Sequence, residues 1–446
     1  MAAYKTLQKN LPMLSRRSFL QASSALTLGA ALCPRLLLAQ SNGGGTGKNV
    51  IVINLYGGID GVGAFPFYEG QNANLLRDVL RPTLHTPLDQ IIPHVGQNGL
   101  ANKIGFHPAW QELTNVASTR SAIIQAYGIP GDPGRSHDTC QVLMSLGATQ
   151  IQGAEMVGFL ARLMDSQDWE SLQYWALMTE NPSDTNTQKK PPLIVSDMAN
   201  FSLPRVGWES EQETLHALRV ARALVEVRTP QNSVQTNYRD GLRLMHDTVA
   251  VVRDEIYSQL VGNNSAGDYL GNWGVGASLR DAAKIIKSKA GSPRANQDTL
   301  ILLGQGGHDT HSDQIQSLPD NIGFLAHNLA VFYRDLELIG ALNDTVIVLY
   351  SEFGRTCYEN GTPNTQTVGT DHGHGSNTIV LGGPVRSGVY GDAPSSQELT
   401  DSNYNALRPK IDFRDVFSEI FAWMGIDARR VFDDPNFNPS RIGFLV

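Results

Sequence analysis

At 446 residues and 41% hydrophobic content, the chain is long enough to bury one large core or two ordinary ones, and disorder throughout is excluded. Its 35 basic and 43 acidic side chains give a net charge of −8, so nucleic acid is not an expected partner.

The N-terminus carries Ser15-Arg16-Arg17-Ser18-Phe19-Leu20-Gln21 and then an apolar, small-residue stretch to Ala39. Pro34 and Arg35 interrupt that stretch, and it is short for a membrane span. Residues 1–39 therefore resemble a twin-arginine signal peptide, with a basic amphipathic helix or a membrane anchor as the alternative. The expectation is a periplasmic or secreted protein that has the twin-arginine export machinery as one partner. Such export carries folded proteins, so a metal could be acquired before crossing. Losing residues 1–39 removes five basic and no acidic side chains, which leaves 30 against 43 and a net charge of −13. Cys140 and Cys357 remain, an even count compatible with a disulfide or with two separate buried thiols.

A Gly-rich linker at 40–48 leads to Asn49-Val50-Ile51-Val52-Ile53-Asn54-Leu55, an apolar, β-branched run that reads as a buried strand. Similar runs lie at Ser121 to Ala126, Asp298 to Leu303 and Thr345 to Tyr350, each followed by a polar, glycine-bearing segment. Between the last two, Ile322, Leu325, Leu329, Phe332, Leu336 and Ile339 recur at helical spacing and Gly340 can end the helix. Phe413, Phe417, Ile420 and Met424 before Gly425 read as a closing helix. Residues 211–290 look like a helical insertion, either a cap over the site or an outer layer. The pattern predicts an α/β fold in which a mostly parallel sheet is covered by helices on both faces and ligands bind beyond the carboxyl ends of the strands.

Chemistry-bearing residues collect after those strands. Gly306-Gly307-His308-Asp309-Thr310-His311 and Gly369-Thr370-Asp371-His372-Gly373-His374-Gly375 hold four of the eleven histidines and two Asp. Mixed carboxylate and imidazole donors suit zinc or manganese. Asp309 and His311 are the stronger ligands, since neighbouring side chains on extended backbone point apart and His308 can equally be a packing residue. The same reservation applies to the pair Asp371 and His372, while His374 could reach a second ion. After the first strand, Asp60 is a candidate metal carboxylate or an Asx-turn residue. Ser136 is placed as a helix N-cap, and the same position at a helix N-terminus suits a nucleophile meeting an anionic ester. The rival is direct attack by water, with His137 a ligand or proton carrier. Glu352 could support a metal and Arg355 neutralise an ester anion, or the two could form a structural ion pair. His85, His94, His107, His216, His246 and His327 lack such company and read as packing or surface residues.

Gly307-His308-Asp309-Thr310-His311, Ser351-Glu352-Phe353-Gly354-Arg355, Asn360-Gly361 and Gly369-Thr370-Asp371-His372-Gly373, with the export signal, resemble the bacterial domain-of-unknown-function family 1501, grouped with alkaline phosphatase and sulfatase-like hydrolases. The resemblance implies an alkaline phosphatase-like three-layer α/β/α sandwich over 49–446 with two neighbouring metals. Asp60, Ser136, Asp371 and His372 would hold one ion, and Asp309, His311 and His374 the other. Two departures from the pattern stand out: His308 replaces a usual Trp, and no histidine follows His374. They leave open a second site that is incomplete, recruits His308 or His137, or holds a different ion. The expected activity is an exported metal-dependent hydrolase using one or two ions on a phosphate or sulfate ester, either a small molecule or a sulfated or phosphorylated glycan. The alternative is a non-catalytic envelope protein that keeps the fold and binds a glycan or another exported protein. Activity in either case rests on analogy of fold.

Overall fold

The computed structural model describes residues 47–446 apart from 98–99, 152–155, 199–200, 202–219, 221–222 and 224–232. The expected signal at 1–39 and most of the linker at 40–48 lie outside the described residues. The strands are β1 (Asn49–Leu55), β2 (Phe67–Glu69), β3 (Ile92–Pro93), β4 (Lys103–Phe106), β5 (Ser121–Gly128), β6 (Tyr174–Ala176), β7 (Leu193–Ile194), β8 (Thr299–Gln305), β9 (Thr345–Tyr350), β10 (Ser376–Gly382), β11 (Gly388–Tyr390) and β12 (Ile411–Asp412). The main helices are α1 (Gln111–Ala117), α2 (His137–Leu146), α3 (Phe159–Gln167), α4 (Ser233–Ala250), α5 (Gly274–Lys289), α6 (Gln314–Ile339) and α7 (Phe413–Met424).

Among the described residues, nine strands form the main sheet, in the order β11-β5-β10-β9-β1-β8-β6-β7 with β12 also on β5. All pairs are parallel except those of β10, which runs antiparallel to β5 and β9. The runs expected as buried strands are β1, β5, β8 and β9, and every residue of each is buried. Alternation explains how both faces are covered. Val50, Val52, Ile124, Leu300, Leu302, Val346 and Val348 share one apolar cluster with Leu143 of α2, Phe159 of α3 and Phe417 of α7. Ile51, Ile53, Ile301, Leu303, Ile347 and Leu349 are equally buried and point the other way, toward the side where α5 packs on β8 and α6. Each such side chain contributes about 1.5–3 kcal/mol of transfer free energy. The fold is thus mixed α/β with a mostly parallel central sheet. Helices α6 and α7 end at Gly340 and Gly425, both left-handed C-caps, where the sequence puts their ends.

Two compact units are present. One comprises Gln40–Met198 and Ile256–Val446 and carries the sheet; Ala199–Glu255 belongs to the other, whose main described element is α4. Part of the expected insertion at 211–290 lies outside the described residues. At its far end, α5 packs on β8 and α6 within the sheet-bearing unit.

Candidate metal centre

β1, β8 and β9 run parallel, so the segments after Leu55, Gln305 and Tyr350 leave the sheet at one edge. Gly57 sits there at φ +114°, and a Cβ on it would meet the Asp309 amide nitrogen at 2.5 Å. Only glycine lets these loops lie this close. Backbone bonds then lace the loops together. Thr370 N–H donates to Thr310 O at 3.1 Å, Thr356 N–H to Asp371 O at 3.0 Å and Gly373 N–H to Gly354 O at 2.8 Å. A Cβ on Gly369 would strike the His311 backbone at 2.4 Å.

Three imidazoles and a carboxylate meet above this edge. His311 Nε2 lies 3.0 Å from His372 Nε2 and 3.0 Å from Asp309 Oδ1, and His372 Nε2 lies 3.2 Å from the same oxygen. His137 Nε2 is 3.4 Å from Asp309 Oδ2, a buried nitrogen without a hydrogen-bond partner. His137, Asp309 and His372 form a group able to hold a metal ion, with one ligand atom each inside a span of 4.8 Å.

On each ring the other nitrogen is fixed by an oxygen. His137 Nδ1 donates to Glu352 Oε1 at 2.9 Å, His311 Nδ1 to Asp371 Oδ1 at 3.1 Å and His372 Nδ1 to the Arg135 carbonyl at 2.8 Å. Those acceptors hold the protons on Nδ1 and turn three Nε2 lone pairs inward, the tautomer a metal ligand needs. Donors on a tetrahedral ion at about 2.0–2.1 Å stand about 3.3 Å apart, close to the edges seen here. By donor type and spacing, His137, Asp309 and His372 fit a divalent cation, with His311 Nε2 beside them against Asp309 and His372.

The electrostatics agree with that arrangement. Burial works to raise the Asp309 carboxyl, but the Arg355 guanidinium bonded to Oδ1 holds it below the usual range. Burial likewise opposes ionisation of Glu352, yet bonds from His137, Gln141 and the Gly57 amide keep it low. The Glu352 contact raises His137, whereas burial lowers His372. Asp371 stays low because bonds from Asn360 and His311 outweigh its desolvation.

Other candidates sit elsewhere. Asp60 is buried and already partnered: its oxygens accept from Arg81 Nη1 at 2.9 and 2.7 Å, and Gln314 Nε2 donates to Oδ2 at 2.6 Å. Asp60 is thus an ion-pair partner here rather than a metal carboxylate, because its lone pairs already serve Arg81 and Gln314. His374 contacts Tyr404 through Nδ1 and donates from Nε2 to the Ile129 carbonyl at 2.9 Å, so neither nitrogen is left for an ion. His308 is 1% exposed, and burial pushes its imidazole down to about 4. Arg355, 1% exposed, donates to the carbonyls of Gly57, Gly58, His308 and Thr370 and to Asp309, and its remaining N–H, on Nη1, faces His311 Nε2 at 3.4 Å, so the guanidinium is committed to the protein. Ser136 is exposed at the N-cap of α2 and makes no side-chain cap bond. Cys140 and Cys357 are free and buried.

Arg135 escapes a sequence reading. It donates to the carbonyls of His372 and Tyr404, and among the described residues no carboxylate pairs with it. Its place directly before Ser136 and His137 is the one signal available.

No curated protein matches the chain in sequence. In structure it is similar to a protein in the alkaline phosphatase superfamily from Vibrio parahaemolyticus, with a TM-score of 0.39 and 10% identity over 96% of this chain and 80% of that one. It is also similar to the PsFucS1 sulfatase from Pseudoalteromonas sp. (0.33, 11%, 97% and 78%) and the phosphonate monoester hydrolase SpPMH from Silicibacter pomeroyi (0.31, 9%, 86% and 74%). Residues 296–443, the stretch that holds Asp309, His311, Arg355, Asp371 and His372, match the family described as Protein of unknown function (DUF1501).

Proposed function

We propose that the protein is an exported, metal-dependent hydrolase of phosphate or sulfate esters, with His137, Asp309, His311 and His372 holding a divalent ion, zinc or manganese. The observation that carries the reading is the convergence of three imidazole Nε2 atoms and one carboxylate, each ring locked from behind by an oxygen. A divalent ion held there would polarise an ester oxygen as a Lewis acid. Ser136, exposed at the start of α2 and adjacent in sequence to His137, is the nucleophile in this reading, and the helix N-terminus favours the approaching anion. Arg135 offers the positive charge that Arg355, committed to the protein, does not. Glu352 and Asp371 orient rings rather than touch substrate. Metal content per chain and turnover of chromogenic phosphate and sulfate esters test the proposal. Bound metal with turnover lost in Asp309→Ala supports it, and wild-type turnover in that variant overturns it.

A second reading, a non-catalytic envelope protein stapled by one ion, is favoured by the donor count: four side-chain ligands would fill a tetrahedral ion, as in structural zinc sites. Stable metal without turnover of any such ester selects it.

Export rests on Ser15-Arg16-Arg17-Ser18-Phe19-Leu20-Gln21. Changing Arg16 and Arg17 together to Lys should keep the protein in the cytoplasm, and unchanged export in that variant removes this element of the proposal.

A further inference from the structure

Resting on the metal reading above, we propose that the centre is mononuclear and that buried arginines stand in for a second cation, which tunes the site to singly charged esters. Asp60, the carboxylate a second ion would need, is 1% exposed and bonded through both oxygens to Arg81, itself 2% exposed. Arg81 spends Nε on the Cys357 carbonyl and Nη2 on that of Thr356, the residues next to Arg355, so its charge cannot leave without orphaning buried carbonyls. Gln314 closes the arrangement. Its Nε2 holds Asp60, while its Oε1 accepts the hydroxyls of Thr310 at 3.0 Å and Thr370 at 2.6 Å, one from each ligand-bearing loop.

On the other side, Arg355 Nη1 stands 3.4 Å from His311 Nε2 and Nη2 holds Asp309 Oδ1. A second cation there would face a fixed guanidinium of like charge. Among the described residues, no other group of three His, Cys, Asp or Glu donors comes within reach of one ion. Charge then limits the substrate. At the centre Asp309 is paired with Arg355, and the Arg135 guanidinium lies on the His372 carbonyl, so one divalent ion there offers less positive charge than two would, which favours a singly charged sulfate ester or phosphodiester. Two ions would suit a dianionic phosphate monoester.

The test is metal stoichiometry of the full chain, loaded with zinc or manganese, desalted and measured by elemental mass spectrometry, with Asp60→Asn and His311→Ala beside wild type. One equivalent is expected in wild type and in Asp60→Asn, falling at least tenfold in occupancy in His311→Ala at the same free metal. Two equivalents in wild type overturn the mononuclear centre while sparing the metal reading; none overturns both. As a second arm, kcat/KM for an aryl sulfate or a bis-aryl phosphodiester should exceed that for the aryl phosphate monoester at least tenfold. A preference for the monoester overturns the charge argument, whatever the metal count.

Discussion

His311 and His372 face each other through Nε2 at 3.0 Å, each ring tied from behind by an acceptor at Nδ1. Two inward lone pairs at that separation repel unless a proton or a metal cation lies between them. The folded chain is therefore expected to gain stability on binding metal, by about 2.7 kcal/mol at a free concentration one hundred times Kd. Thermal melts with and without zinc or manganese measure this. His311→Ala and His372→Ala should melt near the wild-type apo temperature and lose most of the shift; an undiminished shift in both would mean that the ion binds elsewhere.

Asp371 supports that pair from behind, at the ring nitrogen of His311 that faces away from His372. Its Oδ1 holds His311 Nδ1 and accepts from Asn360, and its side chain is 60% exposed. Asp371→Ala should leave the apo protein close to wild-type stability yet weaken metal binding by about 10- to 100-fold, the usual cost of losing an orienting partner. A chelator-competition titration reads the affinity directly. A loss of a thousandfold or more would instead make Asp371 a ligand.

How far the sequence carries depends on the range of the interaction. The strand cores and helix ends follow from local rules, as at β1, where seven consecutive buried residues leave little choice, and at Gly340 and Gly425, where a left-handed cap needs glycine. Asp309, His311 and His372 stand out as donors because the two loops are rich in them, whereas their convergence with His137 depends on pairing between distant loops that no local pattern reveals. Asp60 misleads because its partners lie 21 and 254 positions away, so a carboxylate at a strand end looks free when it is already spent. His374 misleads likewise: Tyr404 is 30 positions on and the Ile129 carbonyl is 245 positions back. β10 was missed because it runs antiparallel inside a parallel sheet, an order that distant pairing with β5 and β9 determines.

Ser136 separates a chemical role from a structural one. An N-cap hydroxyl that bonds its helix is worth about 1 kcal/mol, but this one makes no such bond. Ser136→Ala should change stability by less than about 0.5 kcal/mol and leave the metal affinity intact. If the hydroxyl attacks the ester, turnover falls by several orders of magnitude in the same variant. Turnover within about threefold of wild type would assign the attack to water and leave Ser136 a loop residue.

Asp184 offers a pH signature far from any ligand. The residue is 1% exposed, accepts hydrogen bonds from Ser145 and Thr179, and burial pushes its carboxyl up to about 6 in spite of them. In the unfolded chain it would titrate near its ordinary value of 3.8. Between those values the folded state binds more protons than the unfolded one, so this group's contribution to stability falls as pH rises through the window and stays lost above it. The shift corresponds to about 3 kcal/mol. Asp184→Asn keeps the shape and an acceptor for Ser145 but cannot ionise, so the stability of the variant relative to wild type should climb by up to that amount between pH 4 and pH 7. Urea melts of both proteins across this range give the difference. A flat difference would mean that Asp184 ionises in the folded protein as readily as it does in the unfolded chain.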